Sequence, residues 1–303
     1  MNLENFVQLN EQPQELILSN DVKLKFDFTP SLHETKRLLI LINGFQRTRQ
    51  DFRSFRKKLK ELSPHTATIS FDNRLSPGET EVSHSLPFSL ADIAQDALLL
   101  SKIFQKKLNV NSWSVLGISM GGMVAQIISC LETDHFLKNI FLVSTTAGGP
   151  ERIFPSHFNK NIHKEYSPYE NLLHVQKSMK YYFGPKFLSR SQLFFETLCK
   201  TILNTQKNQH SFANPKEQFR ESLNFDVRLF LNPLKTKLTS KKFILISGDC
   251  DDIIPVENLF LLEKIYSNSE SIIYPDMGHL LLIENPEQFV SDVAKRLNDS
   301  TLF

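Results

Sequence analysis

A serine set in Gly117-Ile118-Ser119-Met120-Gly121 is the part of this sequence best placed to do covalent chemistry. An apolar, β-prone run, Trp113-Ser114-Val115-Leu116, leads into it, and Val124-Ala125-Gln126-Ile127-Ile128 leaves it with helical composition. Gly-x-Ser-x-Gly between a strand and a helix is the context of a nucleophile elbow. The turn holds the serine in a strained backbone conformation, and side chains two residues to either side would collide with the neighbouring strand and helix. The hydroxyl then stands clear at the top of a sheet. The start of the following helix aims backbone N–H groups and its positive dipole end at the same spot. Five letters occur by chance in many chains; the flanking strand and helix are what give these five weight.

A serine hydroxyl is a poor nucleophile at neutral pH and needs a neighbouring base, itself held by an acid. Of nine histidines, only His279 lies in a loop directly after a late strand and before the final helix. The other eight read as ordinary surface or core histidines. Gly248-Asp249-Cys250-Asp251-Asp252-Ile253-Ile254-Pro255 follows the preceding strand, so three aspartates compete for the orienting role. The loop after Ser144 contains no carboxylate before Glu151, which favours the later loop. Within it, Asp249 and Asp252 suit solvated turn positions.

The elements that must position these residues alternate along the chain. Leu16 to Leu18 and Val22 to Phe28 read as two short antiparallel strands joined by Ser19-Asn20-Asp21. Arg37 to Ile42 is a nearly continuous apolar run, as a central parallel strand buried on both faces requires. Asn43-Gly44-Phe45 ends it, and a helix is expected over Asp51 to Leu62. Thr66 to Phe71 is a strand closed by Asp72-Asn73-Arg74. Ser89 is a helix N-cap with Asp92 in the capping-box position. Strands follow over Val110 to Leu116 and Asn139 to Ser144. From about 150 to 236 the alternation stops, and aromatic residues including Phe154, Phe158, Tyr166, Tyr169, Tyr182, Phe187, Phe194 and Phe212 stand among helix formers. Alternation resumes with strands at Lys242 to Ser247 and Ser271 to Tyr274, each followed by a helix, Val256 to Tyr266 and Pro286 to Leu297. Such alternation implies an α/β fold, a mostly parallel sheet with right-handed crossovers and helices on both faces, with function at the carboxyl ends of the strands.

Gly117-Ile118-Ser119-Met120-Gly121, Gly248-x-x-Asp251-x-Ile-Ile-Pro255 and Gly278-His279, in that order, resemble the α/β-hydrolase family. The resemblance runs from about residue 15 to the end of the chain. It implies an α/β-hydrolase core over 1–149 and 237–303, with a helical cap inserted over 150–236. It also implies Ser119 as nucleophile, His279 as general base, Asp251 as the acid, and an oxyanion hole from the backbone N–H groups of Phe45 and Met120. Losing one oxyanion donor typically costs about two to three orders of magnitude in rate.

Two stretches depart from the family pattern. Asn43-Gly44 stands where His-Gly is usual, so an amide must replace the histidine's loop-bracing hydrogen bonds. Asp72-Asn73-Arg74-Leu75-Ser76-Pro77-Gly78 resembles Asp-x-Arg-Gly-x-Gly-x-Ser, with Leu75 and Pro77 in place of glycines, which leaves the shape of that loop open. The serine at 119 excludes the epoxide hydrolase and haloalkane dehalogenase branches, which attack with an aspartate.

Composition bounds what remains. The chain has 303 residues, 41% of them apolar and 25 of them phenylalanine, enough for one α/β domain with an insertion. A formal charge of +2 does not suggest a nucleic-acid binder. Three widely spaced cysteines offer neither metal spacing nor a disulfide framework, and the polar N-terminus has no signal-peptide core, so a cytoplasmic setting is expected. No run approaches the roughly 18 apolar residues of a membrane helix. Residues 151–236 carry thirteen Lys and Arg against seven Asp and Glu. Solvated helix surfaces often carry such an excess. The sharper reading is that it steers an anionic substrate or a carrier-protein-bound acyl group. The expected activity is hydrolysis of a carboxylic ester or thioester with no metal or organic cofactor. The alternatives are a carbon–carbon bond hydrolase or acyltransferase with the same triad, or a non-catalytic ligand-binding member of the fold.

Overall fold

The computed structural model describes residues 7–18, 22–82, 88–158, 167–208, 213–231 and 241–299. The expected turn at 19–21, the end of the insertion at 236, and Tyr166 and Phe212 lie outside them. Eight strands join one sheet: β1 (Gln14–Ile17), β2 (Lys23–Thr29), β3 (Arg37–Ile42), β4 (Thr66–Phe71), β5 (Trp113–Ile118), β6 (Leu137–Val143), β7 (Lys242–Gly248) and β8 (Ser269–Tyr274). Their order in space is β1-β2-β4-β3-β5-β6-β7-β8. The first two strands pair antiparallel and β2 meets β4 antiparallel; every pairing from β4 to β8 is parallel.

The continuous apolar runs are explained by layering. Side chains alternate across a strand, and β3 sends Leu38, Ile40 and Ile42 into one core and Leu39 and Leu41 into the other. β5 and β7 divide in the same way: Val115 and Leu245 on one face, Leu116 and Ile244 on the other. A strand buried on both faces has no solvated positions to mark with polar residues. Burying each Leu or Ile of these strands contributes roughly 1.5–3 kcal/mol.

Helices α1 (Arg53–Leu62) and α10 (Pro286–Asn298) cover one face, with Phe55, Leu59, Phe289 and Val293 buried in that core. Helices α2 (Leu90–Leu108), α3 (Met120–Leu131) and α8 (Glu257–Ile265) cover the other. The helix expected over Asp51 to Leu62 begins as a separate 3-10 turn over Arg49–Phe52. There the Asp51 N–H donates to the Thr48 carbonyl at 3.1 Å, while Arg49 turns inward to Asp27 and Asp72. At the start of α2, the Asp92 carboxylate accepts the backbone N–H and the hydroxyl of Ser89 at 2.8 and 2.9 Å.

Between β6 and β7 the chain forms α4 (Leu172–Met179), α5 (Pro185–Arg190), α6 (Gln192–Lys207) and α7 (Pro215–Asn224). Val175, Met179, Phe183, Phe187, Phe195 and Cys199 make a third apolar cluster. Leu280 and Ile283, beside His279 in sequence, pack against that cluster, so the inserted helices rest directly on the loop after β8.

Strand order reverses between β3 and β5: β4 lies to one side of this pair and β6 to the other. In open parallel sheets such a switch point leaves a crevice at the carboxyl ends. Ile42 pairs with Gly117 in that register, which brings Asn43-Gly44-Phe45 alongside Ser119.

Candidate active site

Ser119 follows β5 directly and has φ 56° and ψ −117°, a region L-residues rarely occupy. Strain of this kind costs on the order of 1–3 kcal/mol and persists only where its surroundings overdetermine it. Here the Ser119 N–H donates to the Val143 carbonyl at 2.9 Å, and the Ser119 carbonyl accepts the Thr145 hydroxyl at 2.7 Å and the Gly122 N–H at 2.9 Å. The flanking glycines are required by space. A Cβ on Gly117 would stand 2.0 Å from the Gly121 carbonyl oxygen, and one on Gly121 would stand 2.2 Å from that of Ile42. The Met120 N–H opens α3 and has no acceptor among the described residues. Gly44 lies close by, since a Cβ there would stand 3.3 Å from the Ser119 Cβ.

Asp251 and His279 come from the loops after β7 and β8 and meet side chain to side chain. The His279 Nδ1–H donates to Asp251 Oδ2 at 2.8 Å. Asp251 Oδ1 accepts the Ile253 and Ile254 N–H groups at 2.9 and 2.8 Å. A carboxylate only accepts, so Nδ1 carries a proton, and in the neutral imidazole Nε2 keeps its lone pair. Both residues are buried, Asp251 with 4% and His279 with 3% of its surface exposed, while Asp249 and Asp252 are exposed. Ser119, Asp251 and His279 therefore all stand beyond the carboxyl ends of parallel strands of one sheet, after β5, β7 and β8. Among the described residues, the Ser119 hydroxyl forms no hydrogen bond with His279. Such contacts commonly tighten only when substrate binds.

The Phe45 loop is braced from two sides. Asn43, in the place of the usual histidine, donates its amide to the Thr48 carbonyl, and its own carbonyl accepts the Asn73 amide at 2.9 Å. Gln46 has φ 52°, and Gln218 of α7 accepts its backbone and side-chain N–H groups at 3.2 and 2.8 Å. The buried Gln218 donates in turn to the Arg74 carbonyl at 2.5 Å. Phe219, also on α7, meets the Phe45 ring at 5.9 Å.

The loop shape left open at Leu75 resolves into a left-handed residue, φ 63°, in a position that favours glycine. Its neighbours hold it there. Arg74 donates twice to Asp96, at 2.7 and 2.8 Å, and burial pushes the Asp96 carboxyl above its usual range despite that partner. Asp72 binds the Arg49 guanidinium and accepts the Arg49 and Glu79 N–H groups, each at 2.8 Å.

Sequence reasoning passed over Gln218 and Glu284, and named Tyr182 only among the aromatic residues of 150–236. The Tyr182 carbonyl accepts the N–H groups of His279 and Leu280 at 2.9 and 3.2 Å, and its ring stands edge-on to the imidazole at 5.6 Å. Glu284 accepts backbone N–H groups of Gly278 and Gly184. Its sequence signal was a single carboxylate closing the apolar run Leu280-Leu281-Leu282-Ile283. Gln218 and Tyr182 carried none.

Two of the cysteines are unactivated as nucleophiles. Burial pushes the Cys250 and Cys199 thiols up to about 11, so neither supplies thiolate at neutral pH. Among the described residues no helix is long and apolar enough to cross a membrane, and no three His, Cys, Asp or Glu side chains gather as a metal site. A cleft of about 510 Å³ beside α1, α5 and α10 is lined by none of Ser119, Asp251 and His279.

No curated protein compared with this sequence matches it significantly. Solved structures match it closely in shape. A hydrolase from Pseudomonas aeruginosa superposes with a TM-score of 0.71 at 20% identity, over 94% of this chain and 98% of that one. An esterase from Thermogutta terrifontis gives 0.66 at 19%, over 94% and 98%. An esterase from a Rhodococcus species gives 0.70 at 16%, over 95% and 98%. At such identities the likeness is one of fold. The alpha/beta hydrolase fold family matches the sequence itself over residues 37–286. With the strand order and the elbow after β5, that match shows that this chain belongs to the alpha/beta hydrolase fold family.

Proposed function

We propose that this protein is a serine hydrolase that cleaves a carboxylic ester or thioester through Ser119, His279 and Asp251. The observation that carries the reading is the buried His279–Asp251 hydrogen bond, which leaves Nε2 free to accept a proton at the sheet edge that presents Ser119. His279 takes the Ser119 proton as Oγ attacks the carbonyl carbon. The tetrahedral oxyanion is held by the Met120 and Phe45 N–H groups. His279 then protonates the leaving alcohol or thiol, and water repeats the cycle on the acyl-enzyme. Asp251 keeps the imidazole in one tautomer and stabilises the imidazolium. The chemistry calls for no metal or organic cofactor.

Residues 150–236 act as a cap over the core formed by 1–149 and 237–303, and the acyl group lies between the two. The carrier-protein or anionic-substrate reading is supported by the insertion's excess of basic residues. Arg152 adds to it: it has no ion-pair partner among the described residues and donates to the Ser222 carbonyl at 2.8 Å. Burial pulls its guanidinium down to about 10. Anionic thioesters should then be turned over faster than neutral ones at low ionic strength, with the preference falling as salt is raised. Equal salt dependence for both substrates would remove this refinement. The three cysteines, none of them paired, fit a cytoplasmic protein.

The test is hydrolysis of a chain-length series of p-nitrophenyl esters, with fluorophosphonate labelling, by wild type and Ser119→Ala. We expect turnover and labelling in the wild type, and loss in the variant on the order of 10⁶-fold, to background. Labelling that survives in Ser119→Ala would sink the assignment. No labelling in either protein would favour the non-catalytic reading. A new ester formed from an added alcohol would mark an acyltransferase. Turnover of a β-diketone but of no ester would mark a carbon–carbon hydrolase.

A further inference from the structure

Glu284 ends the four-residue helix α9 (Leu281–Glu284), five residues beyond His279. Its two oxygens hold two remote segments: Oε1 accepts the Gly278 N–H and Oε2 the Gly184 N–H, both at 2.9 Å. Gly278 precedes His279, and Gly184 is the N-cap of α5 in the insertion. Two residues before Gly184, the Tyr182 carbonyl takes the N–H groups of His279 and Leu280. Three consecutive N–H groups of the His279 loop are thus tied by one carboxylate and one carbonyl. The segments touch backbone to backbone, since a Cβ on Gly184 would stand 2.1 Å from the Asp276 carbonyl oxygen.

We propose that Glu284 is a positioning residue for His279, clamping the imidazole-bearing loop to the insertion so that Nδ1 stays on Asp251. The proposal deepens the hydrolase reading and takes from it the role of His279. A charged acceptor holds two N–H donors more strongly than a neutral one. An amide in its place offers only one acceptor atom and sets a second N–H donor against a glycine N–H. The charged groups acting on Glu284 are Asp251 on the loop after β7 and His279 on its own loop; nearby in sequence to the two glycines, Lys186 of α5 and Asp276 pair with each other. Burial and the Asp251 charge push the Glu284 carboxyl above its usual range, against the pull of the two glycine N–H groups and His279. The carboxylate charge in turn favours the imidazolium.

The test compares wild type with Glu284→Gln, which removes the charge, and Gly184→Ala, which forces the insertion off the loop while leaving the charge. Three readouts apply: fluorophosphonate labelling rate against pH, the downfield NMR resonance of the His279 Nδ1 proton, and amide exchange at Gly278, His279 and Leu280. Both variants should label about tenfold or more slowly, exchange these amides faster, and shift or lose the Nδ1 resonance. Only Glu284→Gln should move the acidic limb of the labelling profile, to lower pH, which a purely structural brace would not do. Melting temperatures identify a variant that has failed to fold; Glu284→Asp, which shortens the clamp but keeps the charge, then stands in for Glu284→Gln, with slower labelling and an unmoved limb expected. Wild-type exchange, resonance and pH profile in a folded Glu284→Gln would overturn the proposal. If wild type does not label at all, the hydrolase reading fails, and exchange and the Nδ1 resonance still decide the clamp.

Discussion

Asp251 has two oxygens with separate duties. Oδ1 is occupied by the Ile253 and Ile254 N–H groups, and only Oδ2 faces His279. Asp251→Asn tests this division at the level of one atom. An asparagine oriented to keep its carbonyl on the two backbone donors presents an NH₂ group to His279, which then accepts through Nδ1 and turns a protonated Nε2 toward the serine. Ester hydrolysis at neutral pH should fall by about 10⁴-fold while the melting temperature changes by only a few degrees. An Asp251→Asn enzyme within tenfold of wild type would show that another group orients the imidazole. Asp249 and Asp252 are exposed, so neither is placed to take over.

At the scale of elements, each functional loop is fastened to the inserted helices as well as to the sheet it follows. Tyr182 and Gly184, around the start of α5, meet the His279 loop, and Gln218 of α7 holds the strained Gln46 beside Phe45. Residues between β6 and β7 therefore hydrogen-bond to both loops. Gln218→Ala removes the acceptor shared by the Gln46 N–H and amide and loosens a residue held at φ 52°, while the amide keeps its bond to the Leu75 carbonyl. Because misplacement of a reacting group by about 1 Å can cost 10²-fold, we expect kcat for ester hydrolysis to fall ten- to a hundredfold with KM little changed. A change confined to KM would mean that α7 only shapes the pocket.

At the scale of the molecule, the last strand and last helix close the sheet through charge. Arg296 of α10 and Lys242 of β7 both pair with Glu270 of β8. Burial pushes the Glu270 carboxyl up, but these two cations outweigh it and hold the carboxyl below its usual range. A carboxyl lowered on folding adds stability above its unfolded pKa, and that stability is lost as pH falls through the folded value. Wild type should therefore melt higher than Glu270→Gln at pH 7, and the gap should close as pH falls below about 4. A gap that widens on acidification would reverse the sign. The effect is modest, because the pair is partly open to solvent.

The amino-acid sequence by itself determined the layers and the elbow. Runs such as Arg37–Ile42 fit a strand buried on both faces, and a Cβ on Gly117 would strike Gly121 four residues on; these constraints act between residues close in the chain. It also placed His279 and the three aspartates on the correct loops. The family resemblance already implied Asp251; how it turns inward to His279, how Asn43 replaces a histidine, and how Leu75 adopts a left-handed backbone were decided by the tertiary structure. Gln218 and Glu284 belong to the same group: a glutamine in a polar helix and a glutamate after an apolar run look ordinary in one dimension. Their partners, Gln46 and Gly184, stand more than ninety residues away in sequence. Local steric rules write the first set into the chain, whereas hydrogen bonds across the fold exist only once packing has brought the two ends together.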